Sequence, residues 1–109
     1  MSPRFRVRWT LVAERDLSEI VHGIFDDDPD QALATLKKMR NKASSLERFP
    51  ERGRIVPELR AQGVTIYREI IVPPWRMVYR ISDSEVRVLA LWDSRRNVED
   101  LLLNRFIRP

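Results

Sequence analysis

Three β-rich runs lie almost end to end between Tyr67 and Trp92, broken only by Pro73-Pro74 and by Ser82-Asp83-Ser84. Each run mixes β-branched and aromatic residues with arginines at strand spacing. Breaks this short predict hairpins, so the stretch reads as a three-strand meander. The remainder of the chain must either extend that sheet or cover one of its faces.

The segments before the meander supply both. Phe5-Arg6-Val7-Arg8-Trp9 alternates apolar and cationic residues, which predicts a half-buried strand with one arginine face, an early member of the same sheet. Thr10 is placed to cap a helix in which Ala13, Leu17, Ile20, Val21 and Ile24 recur at helical spacing, and Asp26-Asp27-Asp28 stops it near Phe25. Asp28 then caps a second helix with Pro29 at its first position and Gln31 able to reach back. Along that helix Ala32, Leu36, Met39, Ala43 and Leu46 form one narrow apolar seam. The short connection predicts an antiparallel helical hairpin, with Lys37, Lys38, Arg40 and Lys42 on a solvated face. Phe49-Pro50 ends the second helix, Gly53 gives a turn, and Arg54 to Leu59 is expected to be irregular or briefly extended. After Trp92, Asp93 or Ser94 can cap a short last helix with Val98, Leu101, Leu102 and Phe106 on one side. The expected fold class is α+β, one domain over residues 1–109: N-terminal strand, antiparallel helical hairpin, mostly antiparallel three-strand meander joining one sheet, short C-terminal helix.

Alternation along the strands sorts the meander into faces. With hairpin loops at Pro73-Pro74 and at Ser82 to Glu85, Ile81 pairs with Val86, Tyr79 with Val88, Met77 with Ala90 and Trp75 with Trp92. That register gathers Trp75, Met77, Tyr79, Ile81, Ile70 and Val72 under the helices. The other face then carries Tyr67, Glu69, Arg76, Arg80 and Arg87 around an apolar strip of Ile71, Val78, Leu89 and Leu91. Such a strip needs a cover, either the last helix or a segment of a partner. Glu69 lies diagonally near Arg76 and Arg80, close enough to organise both.

The chain has no cysteine and a single histidine, His22, which removes disulfides and thiolate chemistry and leaves no set of zinc ligands. No cofactor and no metal are expected. No apolar run has the length of a signal peptide or a membrane span, so the default location is the cytoplasm. The cations are 17 arginines and three lysines, giving a net charge of +4 and a pI near 10.1. Arginine binds phosphates and carboxylates bidentately, so an acidic or polyanionic partner fits, although genome composition alone can produce the same excess.

Arg54-Ile55-Val56-Pro57-Glu58-Leu59, Tyr67-Arg68-Glu69, Pro74-Trp75-Arg76-Met77-Val78-Tyr79-Arg80 and Asp93-Ser94-Arg95-Arg96, taken in order, resemble the ParE/RelE superfamily of bacterial toxins, the toxin halves of type II toxin–antitoxin pairs. The resemblance spans nearly the whole chain. It implies a cognate antitoxin that wraps and neutralises the toxin in a hetero-oligomer, and growth arrest as the effect of the free toxin. It also implies one of two targets. RelE-like members cut mRNA in the ribosomal A site; ParE-like members bind DNA gyrase and trap its cleaved complex without hydrolysing anything. If the chain is a ribonuclease, the resemblance gives Arg76, Arg95, Arg96 and Glu58 as its catalytic residues, with the arginines on the developing phosphorane charge and Glu58 as base. The histidine or tyrosine that some ribonuclease members carry near the chain end has no counterpart after Tyr79. The combination therefore resembles the ParE branch, a gyrase inhibitor that is not an enzyme. The ribosome-dependent mRNA endonuclease is the alternative, and a member that only binds its antitoxin is a third. The expected partner-binding residues are Arg76, Arg80, Arg87, Leu89, Leu91, Arg95 and Arg96.

Overall fold

The computed structural model describes residues 4–94 and Arg105. The expected last helix, with Arg95 and Arg96, lies outside the described residues. The elements run β1 (Arg6–Trp9), α1 (Leu11–Phe25), α2 (Pro29–Ser44), β2 (Arg54–Ile55), α3 (Pro57–Arg60), β3 (Tyr67–Val72), β4 (Trp75–Ser82) and β5 (Glu85–Asp93), with two single 3₁₀ turns between α2 and β2. They build one five-stranded sheet in the order β1-β5-β4-β3-β2. The meander is antiparallel throughout, and β1 joins its far edge parallel to β5. None of the described helices is long and apolar enough to cross a membrane.

Both long helices start as their sequences dictate. The Thr10 hydroxyl accepts from the Ala13 N–H at 3.1 Å, and the Asp28 carboxylate accepts from the Gln31 N–H at 3.1 Å, each satisfying a donor that the first turn leaves free. Gln31 does not reach back to complete a box; its amide turns along the helix to Thr35. The two helices pack as a hairpin over one face of the sheet. Ala13 and Leu17 from α1 and Met39, Ala43 and Leu46 from α2 and its end meet Val72, Met77, Tyr79, Val86, Val88 and Leu91 in the main core.

The sheet departs from the expected register at one place. Ile81 pairs with Val86 and Tyr79 with Val88, as the alternation requires, but Val78 then pairs with Ala90. Leu89 is an extra residue on β5, a bulge, and every residue beyond it is turned over. Met77 faces Leu91 instead of Ala90, and Trp75 faces Asp93 instead of Trp92. Leu91 therefore belongs to the main core, while Ala90 and Trp92 join Val78 on the opposite face. Two features hold the bulge. β1 ends opposite Val88, and α1 takes over the exposed edge: the Thr10 N–H donates to the Val88 carbonyl at 3.0 Å and the Leu91 N–H donates to the Asp16 carboxylate at 3.1 Å. The flip also brings a leucine rather than an alanine under the helices, which fills more of the main core.

The chain itself covers Val78 on the opposite face, while Ile71, 42% exposed, and Leu89 of the expected strip stay accessible. Val56 and Leu59 of the β2–α3 segment close over Val78, Ala90 and Trp92, with Val64 and Tyr67 alongside, in a second, smaller core. The expectation of an irregular or briefly extended segment at 54–59 holds for Arg54–Ile55, which form β2, and is corrected beyond it: Pro57 opens a single turn of helix, as its fixed φ and missing N–H allow, and the three-residue step from Val56 to Leu59 puts both apolar side chains downward.

Candidate functional site

Arg76 sits on the face covered by α3. The β3–β4 hairpin pairs Glu69 with Val78, which sets Glu69 diagonal to Arg76. The Arg76 Nε donates to Glu69 Oε1 at 2.6 Å, and its two terminal nitrogens fork onto both oxygens of Glu58 at 2.6 and 2.7 Å. The second oxygen of Glu69 accepts from Arg54 Nε at 2.7 Å. Arg76 is 5% exposed and Glu69 1%, so one arginine and one carboxylate form a buried centre, and the more exposed Arg54 and Glu58 complete a network of balanced charge. Hydrogen bonds from Arg76 hold the Glu58 carboxyl below its ordinary range against the opposing effect of burial. The same bonds to Glu58, then to Glu69, raise the guanidinium further above its already high value. Arg80, the other arginine expected to lean on Glu69, does not; Arg54 takes that place.

Tyr79 shows a second kind of order. Its ring is fully buried in the main core, and its hydroxyl donates to the Pro50 carbonyl at 2.6 Å while accepting the Gly53 N–H at 2.9 Å. Burial pushes the phenol up, so it stays protonated. Gly53 has no room for a side chain: a Cβ there would lie 2.5 Å from the Glu69 carbonyl oxygen and 2.6 Å from the Tyr79 hydroxyl. The turn that delivers β2, and with it Arg54 and α3, is thereby seated on the sheet.

The exposed arginines gather further along the same face. Tyr67, Arg80, Ser82, Arg87 and Leu89 line a pocket of about 280 Å³. Arg80 and Arg87 face each other directly across β4 and β5, and Tyr67 faces Arg80 across β3 and β4. Arg87 contacts Glu85 at 3.1 Å. Of the seven residues expected to contact a partner, Arg80, Arg87 and Leu89 are brought together here. Leu91 is 3% exposed in the main core and Arg76 is locked in its network, so neither presents a surface.

On the helical side, Arg40 belongs to no solvated row. Its guanidinium forks onto Glu14 at 2.9 Å and lies 4.5 Å over the Trp9 ring, tying α2 to α1 and β1. A groove of about 230 Å³ between the helices is floored by Leu17, Val21 and Leu36. His22 is exposed at the side of this groove, with its Nδ1 3.3 Å from the Ser18 hydroxyl. Among the described residues no group of three or more histidines, cysteines or carboxylates is placed to hold a metal.

Sequence reasoning named Arg76, Glu58 and Glu69 but missed that α3 would bring all three together. A signal was present in Val56-Pro57-Glu58-Leu59, where proline at a helix start and apolar residues three apart point to a helical turn with one buried side.

Residues 7–98 match the model of a family described as the ParE toxin of the type II toxin–antitoxin system parDE. The chain belongs to the ParE toxin family. Among relatives, the candidate toxin Y4kP of Sinorhizobium fredii is 31% identical over 101 residues, covering 91% of this chain and 98% of that one. Toxin RelE2 of Caulobacter vibrioides is 29% identical over 91 residues, covering 84% and 97%. Among solved structures, a chain of the chromosomal ParDE toxin–antitoxin system of P. aeruginosa superposes with a TM-score of 0.71 at 20% identity, over 84% of this chain and 98% of that one. This ParE-family toxin thus shares the α+β fold of the ParE/RelE superfamily at nearly full length, and its relatives carry names from both branches.

Proposed function

We propose that this ParE-family toxin inhibits DNA gyrase, binding it and trapping its cleaved complex, and that it is not a ribonuclease. The observation that carries the reading is the state of Arg76 and Glu58. A phosphate-binding arginine must offer its N–H groups to the substrate, yet Arg76 spends its Nε and both terminal nitrogens on two carboxylates. A general base must accept a proton, yet Glu58 is held in its charged form by that same fork and its basicity is lowered. The pair is better suited to clamp α3 on the sheet than to do chemistry. The accessible Arg80, Arg87 and Leu89, together with Arg95 and Arg96, are assigned to contact with the cleaved complex, which contains DNA as well as protein. A cognate antitoxin neutralises the toxin in the cytoplasm, a reading supported by the family's description and by the ParDE neighbour. Its apolar anchors fit the groove floored by Leu17, Val21 and Leu36 better than the sheet, where Val78 is already covered and Leu91 lies in the main core.

Purified folded toxin is expected to raise cleaved DNA or block supercoiling in a gyrase assay. No effect at micromolar toxin overturns the proposal. The ribosome-dependent endonuclease keeps one favouring observation, the contact between Glu58 and Arg76 on the sheet. It requires A-site cleavage of a defined message, lost in Glu58→Gln while the melting temperature is retained.

A further inference from the structure

The pairing of β1 with β5 creates a feature invisible in any one strand. Arg8 of β1 is in register with Arg87 of β5, and Arg87 with Arg80 of β4, and Arg80 with Tyr67 of β3. The neighbours of these arginines along each strand (Val7 and Trp9, Val86 and Val88, Tyr79 and Ile81) all pack into the main core, so the three guanidinium-bearing side chains share the opposite face. They form a row running across the sheet, with the strands about 4.8 Å apart.

This row is electrostatically incomplete. Like charges directly opposite on neighbouring strands destabilise a sheet. Glu85 is the acid that answers them, and it is shared: it lies 3.1 Å from Arg87, 3.5 Å from Arg8 and 3.9 Å from Arg6. Among the described residues no acid pairs with Arg80. Four cations thus stand against one carboxylate on an open surface, and the row ends in the pocket walled by Tyr67 and Leu89.

The structure assigns this row, Arg8–Arg87–Arg80, as a binding site for the phosphodiester backbone of a nucleic acid. A protein partner fits less well. Stable protein interfaces bury an apolar core with charges at the rim, and here Val78, Ala90 and Trp92 are already sealed beneath Val56 and Leu59, which leaves only the separated Ile71 and Leu89 as accessible apolar side chains among the described strand residues of the face. Along the row itself the side chains are arginine, whose planar fork suits phosphate, with the Tyr67 ring at its end. The setting rests on the gyrase reading, because a trapped cleaved complex contains DNA as well as protein. The binding itself is a property of the toxin alone.

The test is fluorescence anisotropy of a labelled DNA duplex, and separately of a labelled RNA single strand, titrated with the isolated toxin over a range of salt. Three neutralised phosphates give a slope of log affinity against log salt of about −2.7 for duplex and about −2 for a single strand. Each of Arg8→Gln, Arg80→Gln and Arg87→Gln should lower the duplex slope by about 0.9. Lys37→Gln with Lys38→Gln, on the helical side, should leave it unchanged. Row-dependent binding to either probe supports the site and identifies the source of the phosphate. The three arginine side chains are exposed, so the variants should fold; their melting temperatures without nucleic acid should stay close to that of the parent, because the like-charge contact relieved offsets the exposed pairing with Glu85 that Arg8 and Arg87 lose. Wild-type binding by the triple glutamine variant, equal loss in the lysine variant, or displacement of DNA by polyglutamate of equal charge at the same concentration overturns the assignment. A row that binds DNA in a protein without effect on gyrase would retain the site and refute only the gyrase reading.

Discussion

Replacing Arg76 with methionine keeps most of the side chain's length and removes the guanidinium. Glu69, whose side chain is 0% exposed, then keeps only Arg54, a residue with 59% of its own side chain in water. Breaking a buried ion pair by deleting one partner costs about 3–5 kcal/mol, because the charge left behind is neither hydrated nor paired. Two features place Arg76→Met at the lower end: Arg54 still reaches Glu69, and Glu58 is 27% exposed and can take up water. The expected loss is therefore about 3 kcal/mol, a large share of the roughly 5–15 kcal/mol that holds a domain together. For a chain of this length it corresponds to a fall in melting temperature of about 12 °C. Guanidinium unfolding followed by tryptophan fluorescence reads the loss directly, since Trp75 and Trp92 flank the network in the sheet. The double variant Arg76→Met with Glu69→Leu removes both buried charges and should recover to within about 1 kcal/mol of the parent. A loss below about 1 kcal/mol in the single variant, or a double variant as poor as the sum of its parts, refutes the claim that the network is a structural clamp.

The same clamp sets a pH dependence. Hydrogen bonding from Arg76 lowers the folded-state pKa of Glu58 beneath the ordinary 4.5, so its stabilising contribution is whole above that value and is lost as pH falls through the lowered one; an acid titration of stability should show this limb in the parent and a flatter one in Arg76→Met. Leu89→Asp should change stability by less than about 1 kcal/mol, whereas Leu91→Asp places a charge in the main core and should cost more than about 4 kcal/mol in the same denaturation assay. Gly53→Ala should lower stability by about 1–3 kcal/mol or more, because the added carbon meets a backbone carbonyl and a buried ring rather than a flexible chain end.

The bulge explains how far the site could be read from the chain. Alternation in β4 gave the right faces for Met77, Val78 and Tyr79, and the hairpin loops gave the right partners as far as Val88. Beyond that point period-two counting put Leu91 on the partner face. A single extra residue at Leu89 reverses the count, and its cause lies in α1: Thr10 and Asp16 satisfy the edge groups that the bulge leaves free. No local signal in β5 announces an interaction with residues about 75 positions earlier. Glu69 beside Arg76 was legible for the opposite reason, since a hairpin loop of two residues fixes the diagonal.

What the sequence determined by itself is local and periodic: the helix starts at Thr10 and Asp28, the two apolar helix faces, the hairpins at Pro73-Pro74 and at Ser82 to Glu85, and the ordered motifs that place the chain in its toxin family. Each depends on contacts within a few residues, where side-chain chemistry acts on the adjacent backbone. Tertiary structure alone decided that α3 closes over Val78 and locks Arg76, and that β1 lies beside β5 so that Arg8, Arg87 and Arg80 fall in one row. Those arrangements join residues far apart in the chain, and they are selected by the burial of whole faces rather than by the preference of any single segment.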